Sequence, residues 1–86
     1  MPRINFSKNN QSKFLNNIRE ALNIGWPFLA KLLGISNRTL FDWRREKNKI
    51  NEVALNKCLE LTNNRINVPE YKVLPDFWHI QKGIEP

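Results

Sequence analysis

From about residue 11 to residue 61, the apolar positions of this chain recur three and four residues apart. That spacing is typical of amphipathic helices and predicts four of them. The first is expected over about 11–22 and ends near Asn23, a residue that tolerates a helix C-terminus. The second begins with Pro27 in its first turn, where a missing N–H costs nothing, and stops at Gly34.

Two further helices follow in the same pattern. Ser36 is predicted to cap the third helix, because its hydroxyl can accept a hydrogen bond from a backbone N–H of the first turn. Leu40 and Trp43, three positions apart, are expected to face the core. Asn51 is predicted to cap the fourth helix, which runs to about Leu61.

The two ends of the chain lack this periodicity. The first six residues are predicted to be a short arm, and residues 66–86 form an aromatic segment broken by prolines. The expected fold is therefore all-α, a compact four- to five-helix bundle with an aromatic C-terminal tail. Residues 1–65 would form the domain. The tail would pack on the body, which we slightly favour, or act as a linker or an interaction segment. Its candidate partner-binding residues are Tyr71, Phe77 and Trp78.

Composition narrows the function classes. Fourteen Lys and Arg against eight Asp and Glu give 86 residues a net charge of +6, which favours an anionic partner. The single Cys58 and single His79 argue against a disulfide framework and against paired Cys or His metal ligands, so no metal or cofactor is expected. The acids are scattered and no Gly-rich phosphate loop occurs, so no catalytic residue is assigned and the chain is not expected to be an enzyme. No membrane span or secretory signal is apparent, and an intracellular, cytoplasmic protein is expected.

Residues 26–45 carry the most specific pattern. A small residue midway along one helix is followed four positions later by a turn glycine, with apolar residues at fixed positions around them. These positions are Leu29, Ala30, Leu33, Gly34, Ile35, Leu40 and Trp43. The stretch resembles the helix-turn-helix of the Cro and lambda-repressor superfamily, and the resemblance covers about residues 11–62.

The resemblance implies sequence-specific binding of double-stranded DNA by a transcription regulator, repressor-like, that is associated with the nucleoid. The second helix of the unit would enter the major groove. Its base-contacting residues would be Ser36, Asn37, Arg38, Phe41, Asp42 and Arg45. Phosphates would be contacted by Lys31, Arg44, Lys47 and Lys49 and by the backbone N–H of Phe28. Five cations and two acids between Arg38 and Lys49 agree with this expectation.

Several alternatives stay open. Phe41 is as well explained by packing as by contact with a thymine methyl group, and the basic residues also suit a solvated surface. A homodimer is compatible with the resemblance, although the sequence identifies no dimer surface. The aromatic tail also suits a protein-interaction module such as an antitoxin or adaptor. A third hypothesis is the DNA-targeting domain of a larger nuclease.

Overall fold

The computed structural model describes residues 2–74. Within them lie four helices and two short strands. The order along the chain is β1 (Arg3–Phe6), α1 (Asn10–Leu22), α2 (Trp26–Leu33), α3 (Asn37–Arg44), α4 (Glu52–Leu61) and β2 (Tyr71–Leu74). The chain is thus mostly helical, and the four helices confirm those that the hydrophobic spacing predicts.

The helix ends are set by local chemistry that the sequence makes visible. Ser36 accepts a hydrogen bond of 3.0 Å from the backbone N–H of Thr39, and Asn51 accepts one of 2.7 Å from that of Ala54. Both predicted caps are confirmed. Gly34 ends α2 with φ at 70°, a left-handed conformation that a glycine adopts without steric cost. This conformation turns the chain sharply, and only three residues separate the end of α2 from the start of α3.

All four helices and β1 contribute to a single hydrophobic core. Helix α3 packs on both α1 and α2, while α4 packs on α2 and β1. The predicted inward orientation of the third helix is confirmed, since Leu40 and Trp43 are almost fully buried. The buried apolar residues are Ile4, Phe14, Leu15, Ile18, Leu29, Ala30, Leu40, Trp43, Ile50, Ala54, Leu55 and Cys58.

The prediction of an all-α fold is wrong in one respect. Within the first six residues, predicted to be a short arm, residues 3–6 form strand β1. This strand pairs antiparallel with β2 in a register that opposes Arg3 to Leu74 and Phe6 to Tyr71. Strand β1 is held because Ile4 is fully buried and because its N–H donates a 2.8 Å hydrogen bond to the carbonyl of Ile50.

Part of the predicted tail therefore joins the body as β2. Ile66 and Val68, which precede β2, are partly buried against the core. The ring of Tyr71 lies 5.7 Å from that of Phe6 and remains 38% exposed. Phe77 and Trp78, and any fifth helix beginning near Pro75, lie outside the described residues.

Candidate nucleic-acid interface

Helix α3 presents a polar and basic face to solvent. Asn37, Arg38 and Arg45 are exposed, and Phe41 is 42% exposed between them. The opposite side of the same helix is buried through Leu40 and Trp43. The burial of that side fixes the rotation of α3 about its axis, so the exposed side chains project from one continuous surface.

Arg38 and Asp42 interact across one turn of this helix. The Nε atom of Arg38 lies 3.3 Å from one carboxylate oxygen of Asp42 and 3.4 Å from the other. The Asp42 side chain is 17% exposed, whereas that of Arg38 is 76% exposed. An exposed ion pair of this kind contributes at most about 1 kcal/mol. The ion pair orients the Arg38 side chain. The carboxylate contacts Nε and does not occupy the terminal N–H groups of the guanidinium.

The other predicted base-contacting residues are placed as follows. The Ser36 hydroxyl both accepts from the Thr39 N–H and bonds the Thr39 hydroxyl at 3.0 Å, so it is already engaged in capping. The guanidinium carbon of Arg45 lies 5.3 Å from the centre of the Phe41 ring, within cation–π range. Phe41 therefore packs against Arg45 and still offers part of its ring to solvent.

One border of this face is a groove between α3 and the start of α2. The groove has a volume of about 400 Å³ and is lined by Trp26, Pro27, Asn37, Arg38, Leu40, Phe41 and Arg44. The guanidinium carbon of Arg44 lies 3.9 Å from the Trp26 ring centre, and that of Arg19 lies 5.1 Å from it. Stacking on an aromatic face leaves the in-plane N–H donors of a guanidinium available. Arg44 is thus held beside the exposed face with its charge retained.

The α2 residues predicted to contact phosphates lie apart from that groove. Helix α2 has Gly25 as its N-cap, so no side chain caps the N–H groups of its first turn, which include that of Phe28. The Phe28 ring is 54% exposed. Lys31 is also exposed, near the other end of α2. Neither Phe28 nor Lys31 lines the groove between α3 and the start of α2.

Lys47 and Lys49 lie in the loop that follows α3. Both are exposed, and both line a second groove with Arg3, Thr39, Trp43 and Asn48, of about 470 Å³. The structure therefore brings Arg44 to one groove and the two lysines to another. Arg3 was missed by the sequence reasoning, because the pairing of β1 that places it gives only a weak local pattern in four residues.

Two other residues that shape this region were missed as well. Glu46 adopts φ 61°, and its carboxylate accepts hydrogen bonds from the backbone N–H groups of Asn9 (2.8 Å) and Ser12 (3.0 Å) at the start of α1. A carboxylate at a helix N-terminus is favoured by the helix dipole. The loop after α3 is thereby tied to α1. No sequence signal identifies this cap, because its partner lies 37 residues away.

Gln11 is the second of these residues. Its side chain is buried and donates to the carbonyls of Trp43 (2.9 Å) and Asn48 (2.8 Å), and its carbonyl accepts from the N–H of Ile50 (3.1 Å). A single amide therefore bonds three backbone groups, one in the last turn of α3 and two in the segment between α3 and α4. A glutamine at a position that helical spacing places beside the core is the only hint that the sequence offers.

Cys58 is the one cysteine among residues 2–74. Burial raises the pKa of the Cys58 thiol to about 12, so it is an inert core residue. No cluster of metal-ligating side chains occurs within residues 2–74. None of the helices described is both long and apolar enough to cross a bilayer. Comparison of the chain with protein-family models, with curated proteins and with solved structures finds no match.

Proposed function

We propose that this chain binds double-stranded DNA in a sequence-dependent way, with α2 and α3 acting as a helix-turn-helix and α3 lying in the major groove. The role that fits is transcription regulation, repressor-like by resemblance. The observation that carries the proposal is the exposed face of α3. A short helix with a buried apolar side presents Asn37, Arg38 and Arg45 outward, which are side chains suited to base edges.

The charge around this face supports the same function. Arg44 borders the face on the α2 side, and Lys47 and Lys49 follow it in the loop. Phosphate contacts from such residues position a protein on a duplex, while base contacts select the sequence. A net charge of +6 adds a general attraction for the polyanion.

Arg38 is the residue best suited to read a base. Its side chain is 76% exposed and is oriented from below by Asp42. A guanidinium that bonds O6 and N7 of guanine together discriminates by about 1–3 kcal/mol, roughly 5- to 150-fold in affinity. Phe41, beside it, offers an apolar edge for a thymine methyl group.

Selection from a randomised duplex pool at near-physiological salt, followed by sequencing, tests the proposal. We expect one enriched motif. A palindromic motif indicates two copies on two half-sites, and a single half-site indicates one copy. If no motif is enriched, sequence-dependent binding is refuted. Salt-sensitive binding to every duplex would then indicate a general DNA tether, and absence of binding would favour the protein-interaction alternative.

Two variants then separate base reading from phosphate binding on the selected site. Arg38→Ala should relax the preference at one base pair, whereas Lys47→Ala should weaken all duplexes equally and reduce the salt slope by about one. Arg65→Ala is the matched control, since Arg65 is exposed after α4 and lines none of the described grooves. An equal loss on every sequence for Arg38→Ala would contradict its assigned role.

A further inference from the structure

The groove formed by β1, α3 and the loop after α3 is lined by positive charges. Its charged lining residues are Arg3, Lys47 and Lys49, all of them cations. The ion pairs within 4.0 Å among residues 2–74 are Arg38–Asp42 and Lys57–Glu60, and neither involves this groove. The nearby carboxylate of Glu46 is directed to the N–H groups at the start of α1. Three positive charges therefore share about 470 Å³ of open space, and no acid among residues 2–74 lines it.

Hydrogen bonds from three directions hold the walls of this groove. Arg3 donates through Nη1 to the carbonyl of Lys49 at 3.1 Å, which fixes its guanidinium beside the loop. The neighbouring Ile4 N–H bonds the carbonyl of Ile50, and Gln11 holds Ile50 from the other side. These bonds fix the backbone of the loop, so that mainly the side chains of Lys47 and Lys49 remain to be ordered on binding.

The groove lies across α3 from the Trp26–Arg44 groove. Helical residues are spaced about 100° apart around the axis. Measured from Phe41, Thr39 then lies about 160° to one side and Arg44 about 60° to the other. Thr39 lines the groove formed by β1, α3 and the loop after α3, and Arg44 lines the Trp26–Arg44 groove. The two grooves thus lie on opposite flanks of the exposed face, with the Arg38–Asp42 pair between Phe41 and the groove that Thr39 lines.

An α-helix with its side chains is about 10–12 Å wide and fills a major groove about 12 Å wide. A helix seated there has one phosphate backbone on each side. We propose that Arg3, Lys47 and Lys49 form a phosphate-binding groove for one strand of the duplex, while Arg44 faces the other strand. This inference rests on the proposed function and adds Arg3, with strand β1, to the binding surface.

Salt dependence of duplex binding by the full chain tests this inference. Arg3→Gln should reduce the slope of log affinity against log salt by about 0.9, which corresponds to about an eightfold loss at 0.1 M salt. The loss should be equal on the selected site and on an unrelated duplex. Arg3→Lys, which keeps the charge, should retain the slope. Arg65→Gln, the matched control, should change neither slope nor affinity.

Thermal melting of each variant separates binding from folding. If Arg3→Gln melts with the wild type and its slope is unchanged, the proposed groove is refuted. If Arg3→Gln is destabilised, the salt slope of Lys49→Gln tests the groove instead. The Lys49 side chain makes no hydrogen bond among the described residues, so its replacement should not affect folding. An unchanged slope for Lys49→Gln would also refute the groove. A lowered slope without any preferred sequence would keep the groove and reject sequence reading. Absence of binding to every duplex would reject both.

Discussion

Replacing Gln11 with methionine removes three hydrogen bonds with little change in side-chain volume. The substitution leaves the carbonyl of Asn48 and the N–H of Ile50 without their partner, while the carbonyl of Trp43 keeps the N–H of Glu46 at 3.1 Å. The Trp43 carbonyl lies in the last turn of α3, and the other two groups lie in the segment that joins α3 to α4. The substitution thus tests whether one buried amide holds the loop that carries Lys47 and Lys49.

The magnitude follows from where those groups lie. The bonds to Trp43 and Ile50 are buried. The Trp43 carbonyl keeps the Glu46 N–H, so the bond lost there costs about 1 kcal/mol, whereas the Ile50 N–H is left unsatisfied at about 1–3 kcal/mol. The bond to Asn48 is only partly buried, and water can replace it at little cost. We therefore expect the free energy of unfolding to fall by about 2–4 kcal/mol. A domain of this size is stabilised by roughly 4–13 kcal/mol in total, so the effect is a large fraction of it.

Urea denaturation followed by tryptophan fluorescence measures the change, because Trp43 is buried in the core. A melting temperature lower by roughly 10–25 °C should accompany it. Asn17→Met is the control, since Asn17 is exposed on the same helix.

A loss below about 0.5 kcal/mol, or one equal to that of the control, would refute the reasoning. It would mean that the backbone groups find other partners once the amide is gone. An intact folded state with weaker duplex binding, in contrast, would place the effect in the loop alone.

Three further predictions concern the Glu46 carboxylate, the Trp26–Arg44 contact and the buried Cys58 thiol. Glu46→Ala should lower the free energy of unfolding by about 1–2 kcal/mol in urea, because α1 loses its carboxylate cap, whereas Glu20→Ala should not. A double-mutant cycle of Trp26→Leu and Arg44→Ala should give a coupling of about 0.5–1 kcal/mol, and additive effects would exclude the stacking. Burial raises the pKa of Cys58 from 9.0 to about 12. The unfolded thiol therefore loses its proton first. Between pH 9.0 and about 12, stability should fall by about 1.4 kcal/mol per pH unit more in the wild type than in Cys58→Ala.

Sequence reasoning succeeded where structure is decided locally. The caps at Ser36 and Asn51 each involve an N–H three residues further along the chain. The capping side chain and its partner therefore lie close together in the sequence. The burial of Leu40 and Trp43 follows from helical spacing in the same way. These features define α3 and its exposed face, which are most of the candidate site.

Contacts between distant segments could not be predicted. Strand β1 is four residues long, and its pairing partners lie in β2 and in the loop before α4. Nothing within those four residues shows that Ile4 is buried or that Arg3 meets Lys49. The same holds for the stacking of Arg44 on Trp26, since α2 and α3 are brought together by their apolar sides and the ring contact is a consequence.

Strand β1 also affects the order in which parts of the chain open and close. Arg3 pairs with Leu74, so the sheet closes a loop of almost the whole described chain, while each helix forms from neighbours. Long loops close late and at a larger entropic cost. Amides of β1 and β2 should consequently exchange with solvent in a partial opening that leaves the helices folded. In that partly open form Arg3 has left the groove, and the fraction of molecules with a complete groove follows this local equilibrium rather than global unfolding.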